Sequence, residues 1–515
     1  MKRVKEINLS KKKEKIILLT ILLAGLLIRL IYLYFFKDTV FLNPYLMDKH
    51  DQKTFILWAE KILRHPFYVD GKVFYMAPFY PYFLTFLYLI TGGNITGILI
   101  FHAIIDTGTC FLLYLTGKKL FNEKVGLISA FLACFYKTYI VYSISILSDG
   151  IILFLYVFFF YLLLLSLERP NFKWWIITGI ILGFSALAKP TIAIYLPFLL
   201  YGLFYWREKK FLPFNISHSK QAFLTFSLLI FVSGLTILPV TIRNFIIEHK
   251  FVPICSNGPA NWAIGNSSDS IGLFFYPKGE ILSPFSLSFW KMFLLKLKLF
   301  FVSYEWPQNM NVYLTEKVIP FLKLAFVKFG FVVPVGVTGF FLMFKDFKKN
   351  YFFITYTVFN VLWVVLFFIT DRYRLPAVAC FIISSSYFVV WVYKKLIKDK
   401  TIIFPFLSAV FIFIFAYLFD ITPGPLIPDE SKKVFAFLSV KNIKYDLKNK
   451  NIRKVKKEAE KFYEILPNDE KSNFLLACVY YELGEIDKTI YYLKKALQIN
   501  PSLEPAKRFL KDISK

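Results

Sequence analysis

Long apolar runs separated by short polar breaks dominate this chain. The first covers about residues 16–36 and follows Lys2, Arg3, Lys5, Lys11, Lys12, Lys13 and Lys15. A helix needs roughly 20 apolar residues to cross a bilayer core, so this run predicts a membrane span. Ten more follow, at about 95–116, 125–143, 151–167, 174–188, 191–206, 222–242, 326–344, 351–369, 377–393 and 402–419. The pattern predicts an all-α, polytopic membrane helical bundle of about eleven spans. Every second break is rich in Lys and Arg, as in Gly117-Lys118-Lys119, Arg207 to Lys220, Lys345 to Lys349 and Lys394 to Lys400. Basic loops stay in the cytoplasm. The expectation is therefore an integral, multi-pass inner or plasma membrane protein with a cytoplasmic N-terminus. An odd number of spans puts the C-terminus outside. The first apolar run is too long for a signal peptide and has no small-residue cleavage site.

Two stretches break the rhythm. After the first span comes Asp48-Lys49-His50-Asp51-Gln52-Lys53-Thr54-Phe55-Ile56-Leu57-Trp58-Ala59. Phe55, Trp58, Ala59 and Ile62 recur at helical spacing, which predicts a helix lying on the membrane surface. The run 79–90 is apolar but too short to cross. Pro78 and Pro81 open it and Gly92-Gly93-Asn94 ends it, so a re-entrant or interfacial helix is expected.

The chain divides into a membrane domain, 1–420, and a helical tail, 421–515. In the tail, residues 473–484 and 489–497 with Pro501 fit the two helices of a tetratricopeptide repeat. Residues 459–467 fit the second helix of a preceding repeat and 502–513 a capping helix, giving a repeat region of about 452–513. A stack normally needs about three repeats. This one is expected to lean on the membrane domain or on a second copy of the chain, a homodimer.

Composition narrows the function. Of 515 residues, 57% are hydrophobic and 20% aromatic, and 62 Lys and Arg against 34 Asp and Glu give a net charge of +28. Such charge can mark nucleic-acid binding. Here the basic residues sit in short clusters between apolar runs, so no nucleic-acid partner is expected. The five cysteines show no zinc-type spacing. Asp48, His50 and Asp51 fall within one turn and cannot all point at one ion, so neither metal nor other cofactor is expected.

The candidate chemistry lies at the outer ends of spans. Lys189, Arg243, Arg372 and Arg374 are all there, on the side where basic residues are the minority. A lipid phosphate at that depth needs cationic partners, and Arg suits two-pronged contact. His102 and Asp106, four apart inside the second span, read as a structural pair facing the interior.

The order of motifs carries a resemblance. An acid in the first outer loop precedes Trp58-Ala59. Then come Ala77-Pro78-Phe79-Tyr80-Pro81-Tyr82, Gly117-Lys118-Lys119-Leu120-Phe121, Leu147-Ser148-Asp149 and Leu187-Ala188-Lys189-Pro190. Leu238-Pro239-Val240-Thr241-Ile242-Arg243-Asn244, the loop ending Gly265-Asn266, and Arg372-Tyr373-Arg374-Leu375-Pro376 complete the set. Together, over essentially the whole chain, they resemble the GT-C membrane glycosyltransferases. The nearest likeness is to the protein O-mannosyltransferases and the lipid A aminoarabinose transferase (glycosyltransferase family 39 type), in the bacterial branch with a C-terminal repeat tail. The resemblance implies inverting transfer of a sugar from a polyprenyl-phosphate donor to an extracytoplasmic acceptor, a protein hydroxyl or a glycan or lipid. It implies Asp51 as the catalytic base, matched through its spacing to Trp58-Ala59, and Asp149 as the second acid. It also implies substrate contacts from Asp48, Lys189, Arg243, Asn244, Asn266, Arg372 and Arg374. The tail would recruit the acceptor. The alternative is a non-enzymatic lipid-linked-glycan transporter or flippase with a scaffolding tail. Transporters show inverted repeats and broken helices near the midplane; no internal repeat is visible here.

Overall fold

The computed structural model describes residues 10–37, 39, 51–67, 71–207, 209–397, 401–419 and 452–513. Asp48 and residues 420–451 lie outside them. Among the described residues the regular structure is helical, with isolated β-bridges. In chain order the helices are α1 (Lys11–Phe36), α2 (Asp51–Arg64), α3 (Phe79–Thr91), α4 (Ile95–Leu120), α5 (Glu123–Cys134), α6 (Lys137–Ser143) and α7 (Asp149–Glu168). Then come α8 (Phe172–Ala188), α9 (Leu196–Tyr205), α10 (His218–Glu248), α11 (Gly258–Asn266), α12 (Leu287–Phe301), α13 (Val312–Val318) and α14 (Phe329–Leu342). The rest are α15 (Phe347–Leu366), α16 (Asp371–Ile397), α17 (Ile403–Phe419), α18 (Ile452–Ile465), α19 (Glu470–Glu482), α20 (Ile486–Ile499) and α21 (Glu504–Ile513). The chain forms two compact units. One comprises Met1–Leu33, Phe55–Met310 and Leu324–Thr422; the other comprises Tyr34–Thr54, Asn311–Lys323 and Pro423–Lys515.

All eleven segments marked by hydropathy are helical. Among the described residues six stretches are long and apolar enough to cross a membrane: Lys11–Phe36, Ile95–Leu120, Asp149–Glu168, His218–Glu248, Phe329–Leu366 and Asp371–Ile397. Shorter apolar helices cover Phe79–Thr91, Phe172–Ala188, Pro190–Tyr205 and Ile403–Leu418. The expected span at 125–143 differs in detail: it is two helices, α5 and α6, broken at Phe135 and Tyr136. There the Lys137 amide donates to the Val327 carbonyl at 3.0 Å and the Val327 amide to the Phe135 carbonyl at 3.3 Å. A neighbouring backbone satisfies groups that a continuous helix would have paired internally. The short run after the first span is the helix α2, and the short run at Phe79 is α3, ended by Gly92 and Gly93 at φ +60° and +80°.

Close helix contact depends on missing side chains. A Cβ on Gly179 would lie 2.9 Å from Val232, and one on Gly183 2.5 Å from Thr236, so these two residues let α8 lie against α10. Gly339 does this for α14 against α16, where a Cβ would reach 2.1 Å from the Ser384 carbonyl. Small residues at helix interfaces are a membrane-protein device, since lipid leaves van der Waals fit to hold helices together. Aromatic rings fill the interior: Tyr356 stacks on Phe160 with centroids 4.4 Å apart and meets Tyr195 edge-on at 5.0 Å.

His102 and Asp106 both face the interior, but with separate partners. Arg29 of α1 pairs with Asp106 at 2.5 Å and also donates to the Gly25 and Cys134 carbonyls. His102 Nδ1 lies 3.1 Å from the Ser145 carbonyl.

In the second unit, α18 to α21 pack sequentially. Ala477, Leu493 and Ala506 form a buried cluster, with Phe474, Leu497 and Phe509 against it. Asp469 caps α19 by accepting from the Lys471 and Ser472 amides, both at 2.9 Å. Gly484, at φ +76°, makes the turn into α20.

Candidate active site

Two long helices begin with a buried acid. Asp149 opens α7 and Asp371 opens α16, at 5% and 1% exposure. Helix N-termini favour carboxylates, which offsets part of the cost of burying them. Asp371 Oδ1 accepts the Arg372 amide and the Tyr142 hydroxyl, each at 2.7 Å; its Oδ2 has no hydrogen-bond partner. Arg372 Nη1 stands 3.5 Å from Asp149 Oδ2, too long for a hydrogen bond, and that oxygen has no hydrogen-bond partner either. Arg372 Nε donates to Gln308 Oε1 at 3.0 Å. The ion pair between α7 and α16 is therefore made without a hydrogen bond, and each carboxylate has one oxygen that accepts none.

Lys189 joins this group through an aromatic ring. It follows α8 in extended conformation, φ −153° and ψ 103°, as the following Pro190 requires. Its Nζ lies 3.4 Å from the Tyr373 ring centroid and 5.0 Å from that of Trp363. The Arg372 guanidinium lies 5.1 Å from the same Tyr373 ring. Ammonium groups sit favourably on aromatic faces. Among the described residues no acid pairs with Lys189. The buried Trp363 Nε1 likewise has no hydrogen-bond partner.

Arg374, one helical position beyond Tyr373, is fully buried and bound to protein. It donates to Glu305 and to the Tyr304 carbonyl at 2.7 Å, and to the Phe300 and Val302 carbonyls. Glu305 also accepts from Tyr136 and Thr138, both at 2.7 Å. This network fixes the loop before Gln308 against the start of α16.

Arg243 and Asn244, near the end of α10, hold two loops. Arg243 donates to the Phe67 and Lys72 carbonyls at 3.0 and 2.6 Å and lies 4.0 Å from the Phe74 ring centroid. Asn244 donates to the Val252 and Ile254 carbonyls. Beside Arg243 is an apolar groove of about 470 Å³, walled by Phe79, Phe83, Phe184, Leu187 and Pro239 among others. Leu187 is two residues from Lys189. Cys255 connects these regions: it packs against the Ile62 and Phe74 cluster and feels the Lys189 charge. Burial pushes its thiol up to about 11.

Asn266 is buried in a third network. It donates to the Trp262 and Leu366 carbonyls and accepts from Lys296 at 2.7 Å. Lys296 also donates to the Leu366 and Phe367 carbonyls, so the pair caps the end of α15. Burial pulls the Lys296 ammonium down to about 7. Asp51 is the first residue of α2 and is partly buried.

The structure thus seats Lys189 and Arg372 on the Tyr373 ring and pairs Arg372 with Asp149. It gives Arg243 with Asn244, Arg374, and Asn266 their own local networks. Asp371, Glu305, Tyr142 and Gln308 were not among the expected site residues. For Asp371 the signal was present, an acid directly beside Arg372 at the end of a span. Glu305 sits in a long loop, where the pattern of apolar residues says nothing of burial.

Residues 75–236 match the family of dolichyl-phosphate-mannose-protein mannosyltransferases. Comparison with curated protein sequences gives no match. Among solved structures the chain is similar to the Archaeoglobus fulgidus oligosaccharyltransferase. With the form tethered to an acceptor peptide containing the NVT sequon it shares 16% identity at a TM-score of 0.45, over 82% of this chain and 59% of that one. With the complex of an inhibitory peptide and a dolichol-phosphate it shares 16% at 0.44, over 82% and 59%. With the zinc and sulfate complex it shares 17% at 0.47, over 81% and 57%. The chain spans less than three fifths of the length of these proteins. The family match runs from just before α3 into α10 and takes in Asp149 and Lys189, within a chain whose apolar helices suit a multi-pass membrane protein.

Proposed function

We propose that the protein transfers a sugar, with inversion, from a polyprenyl-phosphate donor to an acceptor hydroxyl on the extracytoplasmic side. The observation that carries this reading is Lys189, an ammonium with no acidic partner among the described residues, beside the Trp363 N–H, which has no hydrogen-bond partner there. Two donors lacking an acceptor suit an anionic phosphate. The apolar groove that reaches Leu187 suits an isoprenoid tail. In this reading Lys189 and Arg372 hold the phosphate, with Arg243 near the tail. The acceptor oxygen attacks the anomeric carbon, and the bond from that carbon to the phosphate oxygen breaks. Polyprenyl phosphate leaves with the electron pair. Phosphate is a good leaving group, so no acid partner is needed, unlike a glycosidase pair. Asp51 takes the hydroxyl proton as general base and Asp149 supports it. The N-terminus is cytoplasmic. The tail, read as a tetratricopeptide-like stack, presents the acceptor. The family match supports sugar transfer; the sugar, donor and acceptor rest on this reading.

The test is a transfer assay with purified full-length protein in liposomes, polyprenyl-phosphate-linked sugars and candidate acceptors, read by mass spectrometry. A new glycosidic bond is expected. Movement of labelled donor across the bilayer with no bond formed would make the protein a transporter.

A further inference from the structure

Three buried polar atoms on three helices lack hydrogen-bond partners in one neighbourhood. They are the Tyr80 hydroxyl of α3, His102 Nε2 of α4 and Asp149 Oδ2 of α7. Their side chains are 1%, 5% and 5% exposed. The Tyr80 and His102 rings are 5.8 Å apart, and the Tyr80 hydroxyl is close enough to Asp149 to feel its charge. His102 is bonded at 3.1 Å to Ser145, on the short segment that leads into Asp149. Phe55 closes over the Tyr80 ring edge-on at 4.8 Å.

A folded protein rarely leaves one buried polar group unpaired, and three together call for a ligand that pairs them. The kind of ligand follows from which atoms are open. The Ser145 carbonyl can only accept, so Nδ1 of His102 carries a proton. In the neutral ring Nε2 is then an acceptor. Asp149 Oδ2, whose charge Arg372 balances from 3.5 Å without a hydrogen bond, is an acceptor as well, and the Tyr80 hydroxyl can do either. A phosphate or carboxylate would meet two acceptors and be repelled. A neutral group rich in O–H donors fits all three.

We infer that Tyr80, His102 and Asp149 form a sugar subsite that reads hydroxyl groups of the transferred hexose. This rests on the glycosyl-transfer reading given above. The site then divides by chemistry. Donors without acceptors, at Lys189 and Trp363, take the phosphate. Acceptor atoms that receive no hydrogen bond, His102 Nε2 and Asp149 Oδ2, take the sugar. Tyr80 and His102 become specificity-determining residues that discriminate among sugars by hydroxyl position, since a site built for hydroxyls strongly rejects an analogue lacking one.

The test uses full-length protein in nanodiscs and two probes. The first is saturation-transfer NMR with soluble methyl hexosides, which does not depend on a lipid donor. The wild type should saturate at least one hexoside, and Tyr80→Phe and His102→Gln should each lose that signal. The second probe is binding of polyprenyl-phosphate-hexose against bare polyprenyl phosphate. Each variant should weaken the sugar-bearing lipid roughly tenfold and leave the bare lipid unchanged. A donor lacking the matching hydroxyl should bind wild type and variant alike. The proposal is overturned if the wild type saturates no hexoside, or if the variants bind sugar-bearing lipid as the wild type does. Equal weakening of the bare lipid would also overturn it, because the pocket would then serve the phosphate or the fold. If hexosides bind through Tyr80 and His102 while polyprenyl phosphate does not bind at all, the sugar subsite stands and the proposed donor falls.

Discussion

The Lys189 ammonium rests 3.4 Å from the centre of the Tyr373 ring. That ring has Arg372 on it too, at 5.1 Å, so one aromatic side chain seats two cations. The two differ in what they have left to give. Arg372 is paired with Asp149 and bonded to Gln308. Lys189 has ring faces but, among the described residues, no carboxylate. A cation held by π faces keeps its N–H donors for a ligand.

Lys189→Met should therefore weaken binding of polyprenyl phosphate by about 10- to 100-fold, the usual worth of a charge-assisted contact. Folding should be little changed, because no ion pair is broken. Titration of fluorescent polyprenyl phosphate into reconstituted protein measures this. Unaltered affinity would remove Lys189 from the phosphate site.

Arg29 and Asp106 form the opposite case, a pair with nothing to spare. Arg29 is fully buried at 2.5 Å from Asp106. Removing one partner leaves a charge stranded in the bundle, so Asp106→Leu should cost about 3–5 kcal/mol. The double change Arg29→Met with Asp106→Leu should recover most of the loss. Thermal unfolding in detergent, followed by tryptophan fluorescence, distinguishes the two. A double variant as unstable as the single would show that Arg29 matters through its bonds to Gly25 and Cys134.

How much of this was legible beforehand follows from what hydropathy encodes. Apolar runs mark helices, and all eleven expected spans are helical. The run 125–143 shows the limit: its break at Tyr136 depends on bonds to Val327, nearly two hundred residues away, and no local feature announces it. Basic and acidic residues at span ends were visible as candidates. Their partners were not. Lys189 and Arg372 meet on Tyr373 and Asp149 pairs with Arg372, whereas Asn266 turns inward to cap α15 with Lys296, and Arg374 turns to Glu305. Sequence position placed all of them near the surface of the bundle. Which way each side chain faces is decided by tertiary contacts.

Cys255 offers a pH-dependent reporter of Lys189. Its thiol is pushed up to about 11 by burial, and the Lys189 charge opposes that rise. An ordinary thiol near 8.5 reaches full thiolate by about pH 10. Alkylation of Cys255 should instead keep rising about tenfold per pH unit through pH 10, because only the thiolate reacts. Lys189→Met should slow the reaction at pH 9, since it removes the charge that favours thiolate. The measurement is iodoacetamide labelling read by mass spectrometry in a Cys478→Ser background. A rate that levels off at pH 9 would contradict the burial assigned to this thiol.

The base can be tested by a change of charge at constant size. Asp51→Asn keeps the shape of the side chain but cannot accept a proton. General-base catalysis contributes roughly 10²–10⁴-fold, so kcat should fall by that order. Affinity for the donor should hold, because the donor is gripped through its phosphate and tail. Asp51→Glu should retain part of the rate, as the carboxylate survives at a shifted reach. Asp48→Asn should be mild, since Asp51 and not Asp48 has the spacing to Trp58-Ala59 that singles out the first-loop acid. Lys189→Met supplies the converse profile, with affinity lost and the rate at saturation largely kept. Full activity in Asp51→Asn with a dead Asp48→Asn would move the base three residues upstream. Full activity in both would take the start of α2 and the residues just before it out of the mechanism. Asp149, buried at the start of α7 with an Oδ2 that accepts no hydrogen bond, would then be the next residue to change.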